Sequence, residues 1–135
     1  MRLRIADPLV SETIRFEPSI TYAPRTVVAP IEICGLERPA GTMLACTFLT
    51  ANRDPEVWRD PDAFVARRFE APEAPRLLSF GGGPHYCLGA ALARTTLEEV
   101  VRGVAEAAPR LAVDPESIEW AQVLGRSPVT LPVTL

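Results

Sequence analysis

The chain has 135 residues, 47% of them hydrophobic, and a formal net charge of -3; one domain, or a large part of one, is the natural reading. That balance argues against a nucleic-acid partner or an anionic membrane surface, and no apolar run approaches the ~20 residues needed to span a bilayer. Three cysteines without CxxC spacing (Cys34, Cys46 and Cys87) and a single histidine, His85, argue against a disulfide framework, a four-ligand zinc site and chemistry needing two imidazoles.

The opening Met1 to Pro8 lacks the long apolar core of a signal peptide, so a soluble, cytoplasmic protein is the expectation. Asp7-Pro8 reads as an N-cap followed by proline at the first helical position. A short helix then runs to about Phe16, and Pro18 stops it. Thr26 to Cys34 is β-branched and apolar, bounded by Pro24 and Gly35. Met43 to Thr50 reads as a second strand, entered by Pro39-Ala40-Gly41, and the two suggest a hairpin-like unit. Cys34 and Cys46 read as plain core residues of these strands.

Asn52-Arg53-Asp54-Pro55 starts a polar turn. From Glu56 to Pro75 the chain is proline-rich, aromatic and charged, which predicts short helical turns and irregular structure, ordered by Trp58, Phe64 and Phe69. Phe80 to Pro84 is a glycine-rich turn. The spacing of Leu97, Val100, Val101, Val104 and Ala108 predicts one buried face on a long helix from about Leu88 to Ala107, ended by Pro109. The tail is β-like: Val123-Leu124, a Gly125-Arg126-Ser127-Pro128 turn, then Val129 to Leu135. With 14 prolines, turns and short elements are expected rather than a helical bundle, and the fold class is α+β.

The chemistry concentrates in Phe80-Gly81-Gly82-Gly83-Pro84-His85-Tyr86-Cys87-Leu88-Gly89, which runs directly into the long helix. A cysteine at a helix start faces unpaired backbone N–H groups and the positive end of the helix dipole. Both favour thiolate over thiol. The flanking glycines allow a sharp turn and leave room for something flat and bulky against the sulfur. A glycine-rich loop at a helix start also cradles phosphates, but this one lacks the Gly-Lys-Ser/Thr ending.

Phe80, Gly83, His85, Cys87 and Gly89 fall in the register of the cytochrome P-450 signature: Phe, two residues, Gly, one residue, a basic residue, one residue, Cys, one residue, Gly. The continuation Ala90-Ala91-Leu92-Ala93-Arg94 resembles the helix that follows the ligand in that family. Glu12-Thr13-Ile14-Arg15 resembles its Glu-x-x-Arg motif, and at i, i+3 both side chains share a helix face. Phe64 to Phe69 resembles the region supplying a third, basic member. Arg68 is the choice for that member and Arg67 the rival; the usual proline is Ala66 here. The Ala51 to Pro55 turn is also family-like. The resemblance runs from Glu12 to Leu135.

The resemblance implies the C-terminal part of the P-450 fold over residues 1–135, with the N-terminal and distal parts absent. Its parts are the short Glu-x-x-Arg helix, a small β-sheet, a meander, the cysteine haem loop, the long proximal helix and a C-terminal β-hairpin. It implies haem b as cofactor and Cys87 as the axial ligand of its iron. Phe80 would shield the sulfur, and His85 and Arg25 would pair with haem propionates. Glu12, Arg15 and Arg68 would form a structural triad. Ser19, Ile20 and Thr21, with the tail turn near Val123 to Arg126, would border the substrate cavity.

The implied activity is a monooxygenase that inserts one oxygen atom from dioxygen into a small hydrophobic organic substrate. Electrons would come from a separate protein such as a ferredoxin or flavodoxin, docking near Arg94 and the haem loop. No catalytic acid or base is identified in this stretch. Two other readings stay open. One is an inactive truncated remnant or split-protein fragment that binds haem weakly, not at all, or only with a complementing N-terminal chain. The other is a Cys87-dependent redox sensor or hydrolase assisted by His85.

Overall fold

The computed structural model describes residues 6–122 and 125–135. Its first element, α1 (Ala6–Phe16), carries Asp7 in its first turn, so the helix begins one residue before the Asp7-Pro8 signal. Val10 and Ile14, one turn apart, enter the core, and Ser11, Glu12 and Arg15 are buried beside them. A helix face that buries a carboxylate and a guanidinium needs partners for both, and the neighbouring segments supply them.

Two nested antiparallel pairs follow. The outer pair joins β1 (Tyr22–Thr26) to β4 (Met43–Thr47), with Tyr22 opposite Thr47 and Thr26 opposite Met43. The inner pair joins β2 (Ile31–Ile33) to β3 (Leu36–Arg38). The expected strand from Thr26 to Cys34 is therefore the last residue of β1 and the whole of β2, separated by residues 27–30. The expected strand from Met43 to Thr50 ends at Thr47 and turns into the short helix α2 (Phe48–Ala51).

Cys34 is not a core residue: it occupies the β2–β3 turn, with Cys34 at φ 50° and Gly35 at φ 73°. Two successive positive-φ residues are the mark of a type I′ hairpin turn. Cys46 is exposed on β4.

Residues 52–89 are irregular but ordered. Trp58, buried, donates from its indole N–H to the Ala51 carbonyl at 3.1 Å. With Val10, Ile14 and Leu77 it forms the core cluster, against which Phe69, Phe80, Leu97 and Val101 pack. The long helix α3 (Ala90–Ala107) crosses α1 here. Its apolar stripe is only partly covered: Leu97 and Val101 reach the core, whereas Val100 and Val104 remain exposed.

The tail forms two more antiparallel pairs: β5 (Ala112–Val113) with β8 (Val133–Thr134), and β6 (Glu119–Gln122) with β7 (Arg126–Thr130). Ser127 and Pro128, expected in a turn, are strand residues opposite Ala121 and Trp120. Val123 and Leu124 lie outside the described residues. Among the described residues, no helix is long and apolar enough to cross a membrane.

Candidate functional site

The cysteine loop leaves the core at Leu77 and is fixed at once. The Leu78 amide donates to Asn52 Oδ1 at 2.9 Å, and Asn52 Nδ2 donates to Ser79 Oγ at 2.7 Å. Ser79 Oγ in turn donates to the Ile14 carbonyl of α1 at 2.7 Å. The loop then closes on itself: the Cys87 amide donates to the Phe80 carbonyl at 3.0 Å, and the Tyr86 amide to the Gly83 carbonyl at 3.1 Å. Gly83 sits at φ 64°, a left-handed conformation in which a side chain is costly. The Cys87 carbonyl accepts the Ala90 amide at 3.2 Å, which delivers the cysteine to the first turn of α3.

Gly89 has an ordinary φ of -83° as the N-cap of α3. Its lack of a side chain leaves space rather than a turn: a Cβ there would lie 3.9 Å from the Cys87 sulfur.

Cys87, His85, Phe80 and Gly81 from the loop, Ala23 and Arg25 from β1, and Ile20 just before β1 together line an open hollow of about 440 Å³. Arg25 is exposed, with Nη1 on the Pro24 carbonyl at 2.8 Å. Among the described residues no hydrogen bond links His85 to Cys87. Ser19 and Thr21 do not line the hollow, and their carbonyls serve the framework instead. Ser19 O accepts the Arg126 amide at 3.0 Å, and Thr21 O accepts that of Phe48 at 2.8 Å. Ile20 bridges Gly125, so the chain before β1 lies against the tail.

Phe80 packs between the core and the loop, its ring centroid 6.3 Å from that of Tyr86 in an edge-type arrangement and 5.5 Å from the Arg94 guanidinium. Arg94 sits at the α1–α3 contact, with 29% of its side chain exposed. Its Nη1 donates to Ser11 Oγ at 2.7 Å and lies 3.7 Å from the Asp7 carboxylate.

Beneath the loop, Glu12 and Arg15 are paired through two hydrogen bonds, Nε to Oε2 at 2.7 Å and Nη2 to Oε1 at 2.9 Å. Arg68 Nε reaches the same carboxylate at 3.1 and 3.2 Å, and the Val65 amide donates to it at 2.7 Å. Arg67 points elsewhere, to the Glu70 carboxylate at 3.3 Å. The remaining guanidinium N–H groups are satisfied by carbonyls. Arg15 Nη1 donates to Asn52 and Pro61 at 2.8 and 2.9 Å. Arg68 donates to Arg59, Asp60 and Ala63.

Burial by itself would resist ionisation of Glu12. The Arg15 hydrogen bonds, the Val65 amide, the Arg15 charge and the Arg68 hydrogen bonds outweigh it and hold the carboxyl below its ordinary range.

Sequence reasoning missed Asn52 and Ser79. Both have polar side chains in turn-forming surroundings, and Asn52 beside Asp54-Pro55 reads as turn chemistry, which hides the fact that it is fully buried.

Residues 1–102 match the family Cytochrome P-450. Nocardicin C N-oxygenase of Nocardia uniformis subsp. tsuyamanensis is 41% identical over 130 residues, which cover 93% of this chain and 32% of that protein. Luteothin monooxygenase of Streptomyces thioluteus is 37% identical over 134 residues, covering 96% of this chain and 31% of that protein. Among solved structures, the bacillaene polyketide synthase cytochrome P-450 PksS of Bacillus subtilis 168 superposes with a TM-score of 0.88 at 29% identity, over 97% of this chain and 34% of that one. The chain thus spans about a third of the length of the curated relatives it matches. The loop, the paired helices and the small antiparallel sheets form a fragment of one known fold, and by sequence and structure the chain belongs to the cytochrome P-450 family.

Proposed function

We propose that residues 1–135 are the C-terminal haem-binding segment of a cytochrome P-450 monooxygenase, with Cys87 as the thiolate ligand of the haem iron. The observation that carries this reading is the one hollow into which Cys87, His85, Arg25, Phe80 and Ile20 are gathered from two distant stretches of the chain. A flat macrocycle with a central metal and two carboxylates on its rim asks for a free sulfur, apolar walls and cations at the edge. Cys87 is in no disulfide. Ile20, Ala23, Phe48 and Phe80 are the walls, and the Arg25 guanidinium and His85 imidazole are the edge groups. The residues present fit the group, and haem b suits a loop whose one cysteine is taken as ligand and which lacks a CxxCH attachment motif.

Bound haem supplies the dioxygen chemistry by which a monooxygenase places one oxygen atom in an organic substrate. The chain's own residues hold and shield. The Phe80 carbonyl fixes the Cys87 backbone, the Phe80 ring shields the sulfur, Gly83 supplies the left-handed turn, and Gly89 keeps the space beside the sulfur open. Ile20, flanked by Ser19 and Thr21, borders the place of a small hydrophobic substrate. A smaller recess of about 220 Å³, lined by Arg76, Phe80, Tyr86 and Arg94, offers a basic surface next to the cysteine for an electron donor such as a ferredoxin or flavodoxin. The setting is cytoplasmic.

A second reading, binding of haem only with a complementing N-terminal chain, is favoured by the bare flank of the site: Leu88, beside Cys87, is fully exposed, and Leu92 is largely so.

The test is spectroscopic. Supplied with haemin, reduced and exposed to carbon monoxide, the chain gives the strongly red-shifted Soret band of a thiolate-ligated complex. Cys87→Ser abolishes that band and Cys34→Ser leaves it intact. Loss of the band in Cys34→Ser, with retention in Cys87→Ser, would overturn the choice of ligand. A free-haem spectrum from the chain alone, restored to the thiolate form when the N-terminal two thirds of a cytochrome P-450 relative are added as a separate polypeptide, would select the second reading.

A further inference from the structure

Asn52 is fully buried, carries no charge and does not itself line the hollow. Its polar groups join three separate parts of the chain. The backbone carbonyl accepts Arg15 Nη1 at 2.8 Å, from the ion-paired face of α1. The side-chain carbonyl accepts the Leu78 amide at 2.9 Å, and the side-chain NH₂ donates to Ser79 Oγ at 2.7 Å. A carboxamide is the side-chain group that accepts and donates side by side without a charge. Here it spans two consecutive residues at the root of the cysteine loop, and Ser79 passes the contact on to the Ile14 carbonyl at 2.7 Å.

The residue after Ser79 is Phe80, whose carbonyl holds the Cys87 amide at 3.0 Å. The path from carboxamide to cysteine is therefore short: Asn52 fixes residues 78 and 79, residue 80 follows by the covalent chain, and Cys87 is hydrogen-bonded to residue 80. Ser79, Phe80, Gly81 and Cys87 all line the hollow, so a shift at the root moves the sulfur relative to Arg25 on β1. Groups that act on a bound ligand need such a supporting layer to hold their geometry.

We infer that Asn52 is a positioning residue: through its paired hydrogen bonds to Leu78 and Ser79 it locks the root of the cysteine loop to α1 and so sets the place of the Cys87 sulfur. The inference builds on the reading of Cys87 as the haem ligand. One arm of its test needs no haem.

That arm is amide exchange on the full chain without cofactor. The Val65 amide, bonded to Glu12 at 2.7 Å, is an internal reference for the rest of the fold. Asn52→Ala speeds exchange at Leu78 and at Cys87 by roughly tenfold or more, while Val65 stays at its wild-type rate. Ser79→Ala removes half of the contact and gives the same pattern at smaller amplitude. Faster exchange at Leu78 alone would overturn the inference, because the effect would stop at the lost bond. Equal acceleration at Leu78, Cys87 and Val65 would overturn it too, as would loss of the fold in both variants, because Asn52 would then be a folding residue only.

The second arm adds haemin, reductant and carbon monoxide: the share of the thiolate-type Soret band falls in Asn52→Ala and partly in Ser79→Ala, and an unchanged share in both would count against the inference. If wild type itself shows no thiolate band, the reading of Cys87 falls while the exchange arm still decides the role of Asn52.

Discussion

The side chains of Glu12 and Arg15 are fully buried, yet they form an ion pair, and that combination is stable only because every polar atom is answered. Taking charges out of water costs several kcal/mol per ion, and removal of one partner strands the others at a cost of about 3–5 kcal/mol. Arg68 joins the same carboxylate with 11% of its side chain exposed, whereas Arg67 is 70% exposed on an ordinary surface pair with Glu70. Glu12→Ala and Arg68→Ala are therefore expected to lower stability by about 3–5 kcal/mol, read as a fall in the urea midpoint. Arg67→Ala should change it by less than about 1 kcal/mol. The reverse order would show that Arg67 is the third member. The same carboxyl gives the fold a pH dependence. Glu12 titrates lower in the folded chain than in the unfolded one, so the unfolded state binds the extra proton first. Its contribution is present in full above the ordinary glutamate value of ~4.3 and is lost as the pH falls below it. Glu12→Gln should flatten that acid limb in pH-dependent unfolding.

At the scale of elements, the tail and the segment before β1 meet at a very close approach. A Cβ on Gly125 would lie 2.2 Å from the Ser19 carbonyl oxygen, which is backbone and cannot swing aside. Gly125→Ala is expected to part this bridge, displace Ile20 at the hollow, and cost about 1–3 kcal/mol by overpacking. Faster exchange of the Arg126 amide, now bonded to Ser19 at 3.0 Å, together with a lower melting temperature, checks it. Gly103, within α3, meets nothing within 4 Å, so Gly103→Ala should raise stability by roughly 0.5–1 kcal/mol through helix propensity.

None of the close approach at Gly125 was legible in the sequence, because a long-range backbone contact leaves no local pattern. The cysteine loop and α1 were legible: five residues in register mark the one, and a proline near the first turn with a matched charged pair marks the other. The strands were read poorly, and prolines are the reason. In the sequence Pro24 and Pro128 read as boundaries, yet both lie inside strands, opposite Ala45 and Trp120. Each belongs to a two-stranded pair, where a strand has an open edge and the missing N–H need not break a ladder. Pro30, which lies in the break between β1 and β2, reads as part of the apolar run around it. Cys34 was misplaced for a related reason: its apolar character suggested a core, while the following glycine, in a two-residue turn, was the better signal. Arg68 was separable from Arg67 only in three dimensions, since neighbours in sequence point to different partners.

At the scale of the whole molecule, the buried centre is small and lies on one side. Among the described residues the buried apolar cluster is Val10, Ile14, Trp58 and Leu77, gathered where α1, the irregular segment and α3 meet. The other flank of α3 is bare. Leu92, Val100 and Val104 are 72%, 53% and 41% exposed, and spacings of eight and four residues put them on a single stripe. Leu97 and Val101 occupy the covered stripe of the same helix. Contiguous exposed apolar surface promotes association, so the chain is expected to self-associate with rising concentration, as seen by light scattering after size-exclusion chromatography. Leu92→Gln combined with Val100→Gln should suppress that association. It should leave the melting temperature of dilute protein unchanged, because neither side chain reaches the core and glutamine is as good a helix former as leucine and a better one than valine. A melting temperature that falls while association persists would show that this stripe is packed within the chain rather than open to a partner.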